Sequence, residues 1–361
     1  MANGKFAGGD GSVSNPYLIE DAFDLDKVRD NLSASYKLIR DIDLNIKPFN
    51  EGEGWKPIGG VNNSFQGDFD GDGHIIKNLY ISVKNEDYIA LFGYCSLRQS
   101  NFIKNLKIKD ADIIGGNYVS ALVGVLNQGN IECVCVIDSN IKSLKNSGSL
   151  IGQINNQPVT LKNSYSSNTK VESEQDNTGG LSSFIGSLST IQNVYVCNIV
   201  KGKGCSEAIT PRCDSEGNYG FFNCYYNIDN FSTSKYCTGK TTEQLKKPST
   251  FKDWQSEKLE DQTPIWILKE GQYPKLWFEV EKHFLLNQSR HLYSIKNTIL
   301  SQLDESEPTE ELFKKDGFDD EQLLNLDKFD GQVKMKYEGK CCDGELFSYK
   351  IGDWIKNIKI K

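Results

Sequence analysis

The residues that most invite a chemical reading are the acids of Asp68-Phe69-Asp70-Gly71-Asp72-Gly73. They match the opening of a calcium loop, Asp-x-Asp-x-Asp-Gly, in which alternate carboxylates wrap a hard cation. Such a loop closes with an acid at its twelfth position, and Leu79 stands there. The competing reading is a Gly-rich corner with turn-forming acids, which predicts no metal site and no cofactor. The same acids would serve a glycan hydrolase or lyase only beside a second carboxylate or a basic residue in an open groove. Between residues 60 and 230 the only histidine is His74 and the only arginines are Arg98 and Arg212. Acid–base chemistry is thinly supplied. The ten cysteines comprise Cys95, the close pair Cys133 and Cys135, a group from Cys197 to Cys237, and adjacent Cys341-Cys342. No Cys-x-x-Cys faces a second pair and the chain has three histidines, so zinc is a poor reading. The thiols read as reduced, small apolar fillers.

The elements that must position any such site say nearly the same thing several times. In register they read Ile76-Lys77-Asn78-Leu79, Ile103-Lys104-Asn105-Leu106, Ile131-Glu132-Cys133-Val134, Leu161-Lys162-Asn163-Ser164, Ile191-Gln192-Asn193-Val194 and Phe221-Phe222-Asn223-Cys224. The third residue recurs at intervals of 27, 28, 30, 30 and 30. A second phrase lies between them: Ala90-Leu91-Phe92-Gly93, Ala121-Leu122-Val123-Gly124, Ser149-Leu150-Ile151-Gly152 and Ser183-Phe184-Ile185-Gly186. Repeats of this length, with short apolar runs and no helical period, are the mark of a solenoid.

Phase identifies the kind of solenoid. Inward residues of a strand sit two apart, yet the apolar positions Ile103, Leu106 and Ile108 step by three and then two. One residue must leave the strand conformation, and Asn105 is the candidate, because Asn tolerates the left-handed region. Stacked phrases then stack Asn78, Asn105, Asn163, Asn193 and Asn223 in one column of bends. The glycine closing the second phrase suits a corner that needs positive φ or close backbone approach. The fold class predicted is all-β: a parallel β-helix with one coil per repeat.

The register also exposes an aromatic constellation. Two residues past each Asn come Tyr80, Lys107, Cys135, Tyr165, Tyr195 and Tyr225. The residue after the Asn points inward, so this column points outward. Tyr165, Tyr195 and Tyr225 are the candidate ligand-binding residues, one strand spacing apart, as a ridge for stacking on sugar rings or a protein partner. Tyr also favours sheets and stacks with itself there. The closing segment, with Trp254 and Trp266, could also lie over the same face, which would make the column structural.

The alternation of Ile-x-Asn-Leu with x-Leu-Val-Gly resembles the GLUG-type repeat of bacterial and phage surface proteins. The flanks match in order: Gly8-Gly9-Asp10-Gly11, Asn15-Pro16-Tyr17-Leu18-Ile19, Asp41-Ile42-Asp43-Leu44, Trp55-Lys56-Pro57-Ile58-Gly59 and Phe65-Gln66-Gly67-Asp68 upstream, Thr242-Glu243-Gln244-Leu245 and Trp266 to Leu276 downstream. The resemblance covers roughly residues 5–278. It implies a right-handed parallel β-helix of extracellular adhesins, and no particular ligand. More weakly, the last 80 or so residues, with Glu311-Leu312-Phe313-x-x-x-Gly317-Phe318-Asp319-Asp320, resemble small modules of phage tail proteins from Gram-positive bacteria.

Taken in order, residues 1–35 form a cap, in which Asp21 starts a short helix running to about Asn31 with Leu25, Val28 and Leu32 on one face. Coils run over 36–230 and a closing segment over 231–280. Residues 281–361 form a small α+β module for oligomerisation or docking, with a strand pair turning at Lys296-Asn297 and a short helix at 308–315. A length of 361 residues suits two domains. A net charge of −8 and pI near 5.2 argue against a nucleic-acid face, and no stretch approaches a membrane span. The opening residues lack the apolar run of a signal peptide, so assembly in the cytoplasm and residence on a virion or extracellular particle are expected. The functional expectation is a non-enzymatic attachment protein. It would be a tail fibre, a receptor-binding component or an adhesin, recognising a bacterial surface glycan or protein. Other tail components and a second and third copy, as a trimer, are its expected partners. The alternative is a polysaccharide-degrading β-helix enzyme, whose structural mark would be a groove with clustered acids and lysines.

Overall fold

Asparagine bends wind the chain into a parallel β-solenoid of about six turns, as a computed structural model of the chain shows. The structure describes residues 5–213, 220–260 and 262–279, together with 282–287, 292–296, 299–305, 309, 312, 315–318, 344–350 and 353–359. It divides into two compact units, 1–277 and 278–361.

At the bends the sequence logic is visible. Ile103, Ile131, Leu161, Ile191 and Phe221 pair in parallel register along successive coils. Two residues on, Asn105, Cys133, Asn163, Asn193 and Asn223 all have φ between 49° and 53°. The side-chain amides stitch the column: Asn223 donates to Asn193 Oδ1 at 3.3 Å, Asn193 to Asn163 Oδ1 at 3.1 Å, and Asn163 to Glu132 Oε1 at 3.3 Å. Each amide thereby satisfies a neighbour in a partly or wholly dry setting, where an orphan would be costly.

Asn78 does not belong to that column. Lys77 pairs with Lys109, which places Asn78 opposite Asp110, at a second bend continued by Asp138 and Asn168, all with positive φ. In its coil the first bend is taken by Gly71 and Gly73, whose N–H groups bond Lys104 O and Asn105 O at 2.8 Å. The phrase Ile76-Lys77-Asn78-Leu79 is thus displaced by one side of the coil. A third bend carries Tyr88, Tyr118, Asn146 and Asn177, again all with positive φ. The glycines of the second phrase serve close approach rather than positive φ: a Cβ on Gly93, Gly124 or Gly152 would fall 2.4–2.5 Å from the carbonyl oxygen of Gly59, Gly93 or Gly124.

Early coils bury Phe65, Phe69, Ile103, Leu106 and Ile108, all fully inaccessible. Later coils substitute small polar groups, Ser164, Ser166 and Thr169, organised around buried Asn198, which donates to Gly180 O at 2.8 Å and Ser166 Oγ at 2.9 Å. At the start of the chain, Asp21 accepts from the N–H groups of Phe23 and Asp24 and opens the helix Ala22–Asp26, prolonged as a 3-10 turn Lys27–Asp30. Leu25, Val28 and Leu32 are buried with the core, as a cap requires. No helix among the described residues is long and apolar enough to cross a membrane.

The second unit contains a five-stranded antiparallel sheet in the order Ile299–Gln302, Leu292–Lys296, Lys282–Asn287, Gly344–Lys350, Asp353–Lys359. The strand pair expected around Lys296 is there, with Lys296 opposite Ile299. Asn297, most of the helix expected at 308–315, and Cys341-Cys342 lie outside the described residues.

Candidate functional site

The predicted tyrosine column forms, but two of its three tyrosines are buried. Cys135, Tyr165, Tyr195 and Tyr225 stand in parallel register, and the Tyr165 and Tyr195 rings stack at 4.6 Å with planes 6° apart. They point away from the coil interior, as the phase requires. Residues 251–260 and 262–274 supply the cover: Trp254 and Trp266 sit within 6.2 Å of the Tyr195 ring centre, and the Tyr195 hydroxyl donates to Pro274 O at 2.7 Å. Tyr165 retains 4% of its accessible surface and Tyr195 1%. Tyr225 is half-buried, edge-on to Phe251. The exposed binding ridge expected at Tyr165, Tyr195 and Tyr225 is therefore corrected at Tyr165 and Tyr195, which form a structural seam, while Tyr225 at its edge stays partly accessible. The closing segment also covers the asparagine bend, since Trp266 Nε1 donates to Asn163 Oδ1 at 3.2 Å and Trp254 Nε1 to Asn223 O at 3.1 Å.

The acids of 68–73 are committed to joining coils. Asp70 Oδ1 accepts from Asn105 Nδ2 at 3.0 Å and from Asp72 N at 2.9 Å, Asp68 Oδ1 accepts from Phe102 N at 2.9 Å, and Asp72 meets Lys37 at 3.2 Å. His74 is buried against Asp41, Nδ1 to Oδ1 3.1 Å. Among the described residues no group of three or more His, Cys, Asp and Glu could hold a metal ion. Cys95, Cys133, Cys197 and Cys224 are buried free thiols, and Cys135 is buried with them. Burial pushes the Cys197 thiol up to about 12, which removes its nucleophilic form at neutral pH.

A different aromatic face stays open. Tyr88 and Tyr118 occupy the third bend with φ of 65° and 57°, where the next two coils place Asn146 and Asn177. A left-handed backbone costs an ordinary side chain roughly 1–2 kcal/mol, and a bulky ring is a true outlier there. Stacking between the two rings, 5.3 Å apart and 23° inclined, returns about 0.5–1.5 kcal/mol, and so does not clearly offset two such residues. Strain that local contacts offset only in part is a pointer to function. Tyr94 meets Tyr88 edge-on at 5.9 Å, and all three rings are partly accessible. Beside them runs a ladder of amides: Asn155 Nδ2 donates to Asn127 Oδ1 at 3.0 Å and to the Tyr94 hydroxyl at 3.3 Å, and Gln153 donates to Asn155 Oδ1 at 2.8 Å. Burial, with Tyr118 nearby, raises the Tyr88 phenol, and burial raises that of Tyr94, so both keep their O–H donors at neutral pH. The sequence signal was present, as Asp87-Tyr88-Ile89 and Asn117-Tyr118-Val119 recur 30 residues apart. It was missed because tyrosine is not a residue expected at a left-handed bend.

A charged groove of about 540 Å³ lies elsewhere on the coils, where Lys142, Glu172 and Lys201 succeed one another in register. Lys84, Lys203 and Glu174 border it, and Ile114 and Leu144 give it apolar lining. Lys84 Nζ reaches Glu174 at 2.9 Å, and Lys170 holds Glu172 at 2.8 Å.

Comparison with known proteins agrees with the architecture. A crystal structure titled "putative immunoglobulin A1 protease" from Bacteroides ovatus superposes with a TM-score of 0.53 at 18% identity, covering 75% of this chain and 95% of that one; at that identity the likeness speaks for the fold alone. A "Putative Gly-rich membrane protein" of Evansella cellulosilytica is 40% identical over 136 residues, and "Halomucin" of Haloquadratum walsbyi 31% identical over 170. Those matches cover 36% and 45% of this chain but only 15% and 2% of the relatives. No family model matches the chain, so the GLUG-type likeness is carried by the quoted motifs.

Proposed function

We propose that the chain is a non-enzymatic attachment module whose face at Tyr88, Tyr94 and Tyr118 holds a glycan of a bacterial surface. The observation that carries this reading is the pair of tyrosines kept in left-handed backbone on a half-open face, next to a ladder of amides. Sugar rings present apolar C–H faces and polar rims. Flat aromatic rings with hydroxyl tips, flanked by Asn and Gln, complement both at once. A solenoid adds reach, because each coil advances the face by ~4.8 Å, so a polymer lying along the axis meets equivalent positions. A relative named for a membrane protein supports a surface setting, and the GLUG-type motifs support a surface protein or a phage-like particle. In that setting the 278–361 unit docks to other particle components or to further copies of the chain.

The test is a glycan array probed with the purified chain, followed by calorimetry on the best ligand. Saturable binding of an uncharged oligosaccharide, lost on changing Tyr88 and Tyr118, is the expected result. Binding confined to protein receptors would contradict it. The second reading, a polysaccharide-cleaving enzyme, is favoured by Glu172 and Glu174 in the charged groove. Both carboxylates are held by lysines, which suits charge balance better than proton transfer. New reducing or unsaturated ends released from a capsular or wall glycan would establish that reading and displace ours.

A further inference from the structure

The groove that contains Glu172 holds more positive charge than its surroundings can account for. Four lysines, Lys84, Lys142, Lys201 and Lys203, border it against two glutamates, in a chain whose net charge is −8. Lys84 is engaged with Glu174, and Glu172 with Lys170. Among the described residues, Lys142, Lys201 and Lys203 have no carboxylate within ion-pair distance, and all three are exposed. Like charges gathered within a few coils repel one another, so an acidic protein has electrostatic reason to separate them. Here the column runs Lys142, Glu172, Lys201, so a single glutamate stands between two lysines. Lys142 and Lys201 occupy the same register position two coils apart, and Lys203, just past the end of that strand at Gly202, borders the same groove.

We propose that this groove is a second binding site, for a carboxylated polysaccharide lying along the solenoid axis. Three features select that ligand. Lys142 and Lys201 present point charges at alternate coils, with Glu172 between them, along the direction in which an anionic chain would run. Ile114 and Leu144 offer apolar lining to sugar C–H faces. Glu172 and Glu174 accept hydrogen bonds from hydroxyl groups, which a sugar acid has and a simple anion lacks. No arginine lines the groove, so the forked donor that favours phosphate is missing. The site is separate from the tyrosine face, and either can fail without the other.

The experiment titrates the full chain with an oligogalacturonate and, in parallel, with cellohexaose and with poly(glycerol phosphate), at low and at physiological salt. Saturable binding of the oligogalacturonate is expected, weakening several-fold as salt screens the lysines. The triple variant Lys142→Gln/Lys201→Gln/Lys203→Gln should reduce its affinity at least tenfold with an unchanged melting temperature, because all three side chains are exposed. Tyr88→Asn should leave oligogalacturonate binding as it is. No binding of the oligogalacturonate, binding indifferent to the triple variant, or stronger groove-dependent binding of poly(glycerol phosphate) would each overturn the proposal. Binding of cellohexaose that the triple variant weakens as much as it weakens the oligogalacturonate would overturn it too, because the groove would then not select a carboxylated chain.

Discussion

Two stacked tyrosine pairs on one solenoid have opposite fates. Tyr165 and Tyr195 lie in regular strand, nearly parallel at 4.6 Å, and are sealed by Trp254 and Trp266. Tyr88 and Tyr118 lie at a left-handed bend, 5.3 Å apart and inclined, and remain partly open. Stacking is common to both, so stacking alone says nothing about binding. The difference lies in backbone cost and in cover. The first pair sits where tyrosine is favoured and gains a dry aromatic cluster. The second sits where asparagine would serve at lower cost and gains no such cluster. A side chain that is expensive to the fold and accessible to solvent is the better candidate for selection by a ligand.

The comparison breaks first if the seam is not structural. Trp266→Ala removes a buried ring from the Tyr165 and Tyr195 cluster and the donor to Asn163, so a loss of about 3–5 kcal/mol is expected from truncating a buried aromatic. Urea unfolding of the chain measures it, and a loss below about 1 kcal/mol would mean that the closing segment merely rests on the coils.

Next in size comes the bend beneath the seam. Asn163→Ala strands the Asn193 amide and the Trp266 indole, both of which donate to Asn163 Oδ1, and removes a residue suited to φ of 49°. Unpaired buried donors cost about 1–3 kcal/mol, so melting should fall by an amount in that range. The equivalent change at Asn146, on the tyrosine bend, should cost less, since its amide is only part-buried.

Labelling kinetics sharpen the same contrast without destabilising anything. The Cys197 thiol lies in the covered region, 4% accessible and pushed up to about 12 by burial, whereas Cys205 is exposed. Native alkylation at pH 8 should mark Cys205 first and Cys197 slower by at least an order of magnitude. Trp266→Ala should narrow that gap by loosening the cover. Equal rates in the unaltered protein would show that the seam opens freely.

Most of the coil was legible because its rule is local. An asparagine between apolar steps of three and two has one good conformation, and five coils stacked accordingly, with Cys133 in the asparagine's place. Asn78 was misplaced because two different bends of the coil share the pattern apolar-x-Asn or apolar-x-Asp, as at Ile103-Lys104-Asn105 and Ile108-Lys109-Asp110. The phrase identifies a bend without saying which bend it is. The cover over Tyr195 was foreseeable only as a possibility, since residues 245–276 carry no period to fix their position. Tyr88 and Tyr118 were hidden for the opposite reason: propensity argues against them, and the fold uses them regardless.

The central claim is that the open pair serves a ligand and the sealed pair serves the fold. The most direct measurement is the double variant Tyr88→Asn/Tyr118→Asn, examined for melting and for binding to an uncharged oligosaccharide selected from an array. Asparagine relieves the left-handed strain as the ring stack is lost, so stability should stay within about 1 kcal/mol. Affinity should fall at least tenfold, as expected when aromatic anchors leave an interface. A variant that binds as well as the parent, or one that unfolds, would make the open pair structural like its sealed counterpart and contradict the account.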